Sequence, residues 1–256
     1  MHLPIERKVL ILEKLKIEKI IRISDICKLF KISRATALSD LRELEKENKI
    51  LKVHGGALLP NELSLEKSIK QTMVENLNAK RKIGIKAAEF VNDKDIIILG
   101  SGSTISEMVK HLINKKKLTI ITNSIITAYL LFEYNDYNNF DIYITGGYLR
   151  KKSGSLVGWI ADNTLKEFNV NKAFCSSSGI NLNGITDINP EESVTYRTLF
   201  SRAKEKYILI DSTKYEKKFF FNILPLEKID CIITEKNVGK KYLDFFKKKK
   251  IKFVVA

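Results

Sequence analysis

A chain of 256 residues has room for one small domain and one of ordinary size, each able to bury a core. With 44% hydrophobic and 29% charged residues it reads as soluble and globular, and apolar runs such as Ile96–Leu99 are far too short to cross a bilayer, so no membrane partner is expected. The net charge of +15 favours nucleic acid only in part: residues 1–57 carry 13 Lys and Arg against 8 Asp and Glu, while seven lysines against Asp244 lie far away at 240–252. Cys27, Cys175 and Cys231 are odd in number and lack a C-x-x-C pair, and His2, His54 and His111 are scattered. Disulfides, a metal site and a cofactor are therefore not expected.

The N-terminus carries Glu6 and Glu13 among apolar residues at helical spacing, which describes an amphipathic helix over 4–16 and not a secretion signal. The cytoplasm is the expected location. Pro4 starts that helix, and Ile5, Val9 and Leu12 are expected to face inward. Ser24 is expected to cap a short helix with Ile26, Leu29 and Phe30 on one face. Lys31 and Ile32 then make a turn, and Ser33 caps a second helix. Its inward stripe is Ala37, Leu41 and Leu44, which leaves Arg34, Ala35, Leu38, Ser39 and Arg42 outward near the helix start. A helix-turn-helix unit presents such a face to base edges in the major groove. The segment from Ile50 through Lys52 and His54 to Gly56 alternates like a strand and turns at the glycine pair, a candidate wing beside the phosphates. The same spacing also suits a plain three-helix packing unit with a solvated basic face.

Residues 58–78 read as a connection, broken by Pro60. From Ala79 strands and helices alternate: strands at 95–99, 118–122, 140–145, 172–176, 206–211, 231–234 and 252–255, with helices near 79–91, 105–112, 125–132, 190–203 and 239–248. This predicts an α/β, doubly wound, mainly parallel, Rossmann-like sheet covered on both faces. Trp159 heads a helix-like stretch, 160–168, and reads as packing or subunit contact. Ligands in such folds gather at strand C-terminal ends. Three loops there carry suitable chemistry: Gly100–Thr104, Thr122–Ser124, and the segment from Thr145 to Arg150. Glycines give close backbone approach, helix starts give free N–H groups, and a guanidinium can pair with phosphate. Any one loop alone reads as a tight turn; three together point to a shared anionic ligand, best a phosphorylated small molecule.

Ser33, Thr36, Asp40, Leu41, Leu44 and Glu45, followed by V-H-G-G-A at 53–57, resemble the DeoR family of bacterial transcriptional regulators. The likeness continues through T-N-S at 122–124, G-G-x-L-R at 146–150, Ala173-Phe174, Ser178-Gly179-Ile180, Gly184-Ile185-Thr186 and Asp211-Ser212-x-Lys214. It implies a winged helix-turn-helix DNA-binding domain over 1–57, a linker over 58–78, and a phosphosugar-sensing and oligomerisation domain over 79–256, related to sugar-phosphate isomerases. Thr36 and His54 join the DNA-reading set with Ser24, Ser33, Arg34, Ala35, Leu38, Ser39, Arg42 and Lys52. By the same resemblance Ser101, Gly102, Ser103 and Thr104 cradle the phosphate, Asn123, Gly146, Gly147 and Arg150 line the pocket, and Lys214 adds a cation. Two departures from the family matter. Leu38 and Ser39 stand where it usually has two arginines, which alters or weakens operator contact. Gly100 stands where it usually has an aspartate.

The expected function is a repressor of sugar-metabolism genes that binds operator DNA as a dimer or tetramer and responds to a phosphorylated sugar. The alternative is a sugar-phosphate isomerase or deaminase with an appended DNA head. Turnover, however, needs an acid/base pair, and Asp187, Glu191 and Glu192 read as a helix start, where negative charge is favourable. A third reading is a head that has lost specific DNA binding and works through protein contacts.

Overall fold

The computed structural model describes residues 3–18, 20–47, 49–53, 55–59, 66–134 and 140–256. They form two compact units, the first ending at Lys67 and the second running from Ser68 to Ala256.

In the first unit α1 (Pro4–Glu18) is followed by β1 (Ile20–Arg22), α2 (Ile23–Phe30), α3 (Arg34–Lys46), β2 (Leu51–Val53) and β3 (Gly56–Leu58). The strands form one antiparallel sheet in the order β1-β3-β2, so the hairpin read as a wing gains a third strand from between the first two helices. Ile11, Leu15, Ile26, Ala37, Leu41 and Leu44 are its sealed core. The expected stripe of Ala37, Leu41 and Leu44 is thus inward. The expected phase of α1 is not: Ile5 is 68% exposed, Val9 is exposed and Leu12 is half-buried, while Arg7, Ile11 and Leu15 face in. An ion pair sets the phase. Arg7 Nε lies 2.9 Å from Asp40 Oδ2 and Nη2 lies 3.0 Å from Oδ1, a buried fork between α1 and α3.

In α2 the helix begins two residues earlier than the serine predicts. Arg22 is the N-cap in an extended conformation, so Ser24 sits inside the first turn, 3.3 Å from Asp25 Oδ1, and caps no backbone N–H. Ile23 consequently takes the inward place and Leu29 is 52% exposed. Lys31 closes α2 in the left-handed region (φ 51°), and Ser33 Oγ accepts from Thr36 N at 3.1 Å to start α3.

The second unit is built on seven parallel strands in the order β15-β14-β12-β9-β4-β5-β6. Here β4 is Ile96–Leu99, β5 Thr119–Thr122, β6 Asp141–Ile144, β9 Val170–Cys175, β12 Ala203–Leu209, β14 Cys231–Thr234 and β15 Lys252–Val255. Adjacent residues of one strand serve opposite faces: Ile98, Ala173 and Ile232 belong to one core, Ile97, Leu99, Phe174 and Ile233 to the other. Burial on both sides is why these strands are apolar runs. A helix read as connection in the sequence opens the unit, α4 (Ile69–Val74), with a Ser68/Gln71 capping box; the helix expected near 79–91 follows as α5 (Leu77–Ala88). Then come α6 (Ser103–Val109), α7 (Ile125–Tyr134), α8 (Trp159–Lys166), α9 (Pro190–Ser201) and α10 (Lys240–Lys249).

Two additions are absent from the sequence reading. A hairpin, β7 (Tyr148–Arg150) with β8 (Ser155–Val157), follows β6; a three-stranded antiparallel sheet joins β10 (Gly179–Asn181), β11 (Gly184–Asp187) and β13 (Phe221–Leu224). Trp159 is 78% exposed and packs into neither core.

Candidate functional site

Chain order in the parallel sheet reverses between β4 and β9: β5 and β6 lie to one side, β12, β14 and β15 to the other. The crevice beyond the strand ends at such a reversal is where open α/β sheets hold ligands. Gly100 occupies it, its N–H donating to Phe174 O across the divide at 2.9 Å. A Cβ on Gly100 would stand 2.9 Å from Cys175 Sγ and 3.0 Å from Tyr196 Cε1. The missing aspartate is therefore a packing matter: Cys175 and Tyr196 fill the space its side chain needs.

Gly102 adopts φ +126°, a conformation that L side chains rarely reach, and α6 starts at the next residue. The four residues expected around a phosphate are not equivalent. Ser101 is tied into the protein. Tyr196 Oη donates to Ser101 O at 2.9 Å, which leaves Ser101 Oγ to donate to Tyr196 Oη, also at 2.9 Å. Ser103 and Thr104, both more than nine-tenths buried, have hydroxyls that meet no partner among the described residues.

Asn123, at the end of β5, donates from Nδ2 to Leu156 O at 3.2 Å, and its buried Oδ1 has no partner among the described residues. Gly146 and Gly147 both have positive φ (68° and 110°). A Cβ on Gly147 would meet Val157 O at 2.7 Å, so that glycine serves the approach of β8 and not a ligand.

Arg150 is not an open guanidinium. Its Nη1 lies 2.6 Å from Glu192 Oε1, and the same oxygen accepts from Ser155 Oγ. Glu192 is in the first turn of α9, whose N-cap Asn189 accepts from Glu192 N at 3.0 Å. Asp187, at the end of β11, accepts from Ser178 Oγ (2.9 Å), Ile188 N (2.7 Å) and Asn189 N (3.1 Å). Burial, together with the neighbouring Glu192, pushes Asp187 up to about 7. Glu191 and Glu192 start a helix as expected; Asp187 and Glu192 are interior and with Tyr196 form a polar wall reaching Ser101, while Glu191 is exposed. An asparagine cap three residues before Glu192 was the available signal.

Lys214 ends a turn of 3-10 helix, Ser212–Lys214, that follows β12 and is capped by Asp211. Asn76 Nδ2 reaches Asp211 Oδ1 and Thr213 Oγ1, each at 3.4 Å. Lys80, one turn into α5, is only 4% exposed, and its ammonium donates to Thr72 O. Burial lowers its pKa; Asp211 favours its charge and Lys214 opposes it. A lone lysine in a helix reads as surface. The overlooked signal is that Lys80 heads the apolar stripe Ile83, Ala87 and Val91.

On the first unit, Arg34, Ala35, Ser39 and Arg42 of α3 are exposed, and no acceptor meets Arg34 or Arg42 among the described residues. Leu38, expected outward, is half-buried against the core, because the sheet and α2 widen the covered side of α3 beyond the three-residue stripe. Thr36 Oγ1 is 2.9 Å from Ser33 Oγ and serves the cap. Lys52 braces the wing: its N–H donates to Glu45 Oε1 at 3.2 Å and its Nζ lies 3.4 Å from Glu45 Oε2. His54 lies outside the described residues.

A winged helix-turn-helix ahead of an α/β unit with a switch-point crevice is the build of a DNA-binding transcriptional regulator. Two family models match the chain: the DeoR-like helix-turn-helix domain over residues 7–62 and the DeoR C terminal sensor domain over residues 75–236. The chain is 33% identical to the HTH-type transcriptional repressor GlcR of Bacillus subtilis over 98% of its own length and 96% of that protein. It is 35% identical to the lactose phosphotransferase system repressor of Lactococcus lactis, over 92% of each. A ribose 5-phosphate isomerase of Methanocaldococcus jannaschii overlaps 56% of each chain at 20% identity with a TM-score of 0.41. The chain belongs to the DeoR family. Among the described residues no helix is long and apolar enough to cross a membrane.

Proposed function

We propose that this chain is a cytoplasmic repressor of sugar-metabolism genes whose operator affinity changes when its second unit binds a phosphorylated sugar. The observation that carries the reading is the pair of hydroxyls on the buried residues Ser103 and Thr104, which meet no partner among the described residues, beside Gly102 at the switch point. They supply donors where a phosphate needs them, with Lys214 as a nearby cation. Asn123 Oδ1 and the acid wall supply acceptors for sugar hydroxyls. For control, the sugar must bind one arrangement of the protein better than another by about 1–3 kcal/mol.

The test is binding of the full chain to its own upstream DNA, against random duplex, with a panel of phosphosugars. Specific binding that one of them alters supports the reading; specific binding that none alters removes the sensor half of it. Absence of any preference among duplexes removes the operator half. Catalysis is not part of the proposal. Glu192 is held by Arg150 and Ser155, and Asp187 by three donors. Isomerisation assays with pentose and hexose phosphates should show no turnover.

The proposal includes a homo-oligomer, since a two-headed reader needs at least a dimer. Trp159, Ile160, Tyr143, Ile144 and Tyr148 are exposed apolar side chains around the edge strand β6 and the adjoining hairpin. Sedimentation of the wild type and Trp159→Asp tests whether this face joins copies; loss of the larger species is the expected result.

A further inference from the structure

We infer that Lys80 is an effector ligand and that its hold on Thr72 makes it the link between an occupied pocket and α4, the first element of the sensor unit. The inference rests on the phosphosugar reading of the Gly102–Thr104 loop.

The geometry follows from a helix register. α5 leads into β4 and α6 leads out of it, so both run against the strand and start at its ligand-binding end. They touch backbone to backbone at Gly84, where a Cβ would lie 2.7 Å from Met108 N and 2.8 Å from Glu107 C. Lys80 is one turn before Gly84 on the same face. Ser103 and Thr104 stand one turn before that same contact on α6, so a rise of about 6 Å brings both helices to the level of the loop. The side chain of Asn76 fixes the start of α5 to the turn that carries Lys214. Two lysines thus share one end of the crevice with two hydroxyls that meet no partner among the described residues, and Lys214 disfavours the charge of Lys80. A phosphate dianion is the ligand whose charge relieves that repulsion and whose oxygens accept from both hydroxyls.

The Lys80 ammonium now donates to Thr72 O near the end of α4, and α4 is six residues long with no buried side chain. A hydrogen bond from Ile69 N to Lys152 O at 2.7 Å also holds it, and it lies against α6. Turning the ammonium toward a phosphate loosens this hold, and among the described residues α4 is the first helix after the DNA-reading unit.

The experiment uses the full chain and inorganic phosphate, with calorimetric titration and amide exchange over 69–74. Lys80→Met keeps the length of the side chain and removes the charge that a phosphate would meet, and the thermal midpoint of the variant checks that it is folded. The expected results are phosphate binding by the wild type, weakening of about tenfold or more in Lys80→Met, and faster exchange over 69–74 when the wild type binds phosphate. Unchanged affinity in Lys80→Met, with Ser103→Glu abolishing binding, overturns the role of Lys80 and leaves the pocket reading intact. Exchange over 69–74 that phosphate does not quicken overturns the link to α4, and needs no variant. If the wild type binds no phosphate, or Ser103→Glu binds it normally, the reading of the loop fails and takes this inference with it.

Discussion

Arg150 Nη1 and Glu192 Oε1 are 2.6 Å apart, with 11% and 8% of their side-chain surfaces exposed, so a hairpin and the first turn of α9 are joined by an interior ion pair. Removing one partner strands the other charge in a site that also holds Asp187. Arg150→Ala is expected to lower the unfolding free energy of the second unit by about 3–5 kcal/mol, read as the urea midpoint of the full chain. A wild-type midpoint would show that the guanidinium is dispensable to the fold and return it to the pocket as a ligand.

Asp187 gives the second unit a defined response to pH. Its folded pKa of about 7 lies above the usual 3.8, so between these values the folded state holds a proton that the unfolded state has lost. The stabilisation is complete below about 4, declines as pH rises, and is gone above about 7. Asp187→Asn keeps an oxygen for the donors Ile188 N and Asn189 N and cannot ionise. Unfolding free energies measured from pH 4 to 8 should fall more steeply for the wild type, with the variant the more stable at neutral pH. Parallel curves would locate the titrating group elsewhere.

Restoring the family's aspartate at Gly100 is expected to harm this chain. The added Cβ overlaps Cys175 Sγ and approaches Tyr196, and overpacking of this kind costs about 1–3 kcal/mol. Gly100→Asp combined with Cys175→Ala relieves the nearer contact and should recover part of the loss. Thermal midpoints of the single and double variants check it; equal midpoints would mean that the crowding is not what excludes the aspartate.

Arginine is absent at Ser39, which is exposed on α3 between Arg34 and Arg42. If this face meets phosphates, Ser39→Arg should tighten binding to DNA and steepen its salt dependence by about one unit of log–log slope, and Arg42→Ala should do the reverse. Titrations at several salt concentrations give both slopes. Identical slopes in all three proteins would put the DNA-binding face elsewhere.

What the sequence discloses depends on whether a residue's surroundings are local. A strand buried on both faces is an apolar run, and the span expected at 231–234 coincides with β14; the edge strand β15 also matches its expected span, 252–255. The cap at Ser33 and the glycine loop at the end of β4 are likewise written in adjacent residues. The phase of α1 is not, because Arg7 turns inward only for an aspartate 33 residues away. Glu192 and Lys80 are charged residues that composition assigns to solvent, and distant partners take them inside. Three-residue strands such as Ile20–Arg22 and the two arms of the 148–157 hairpin carry too few residues to display a period.

Each acid of α3 has a basic partner from another element: Asp40 has Arg7, Glu43 has Lys8 and Glu45 has Lys52 of the wing. A polyanion approaching Arg34 and Arg42 therefore meets a helix whose own negative charges are already compensated. Dissolved ions act on this arrangement twice. They screen the attraction itself, and they loosen the exposed pairs at Glu43 and Glu45, which exposes repulsive carboxylates beside the same surface. Ionic strength should weaken this head more than its number of phosphate contacts implies, and neutralising Glu43 and Glu45 together should remove the excess.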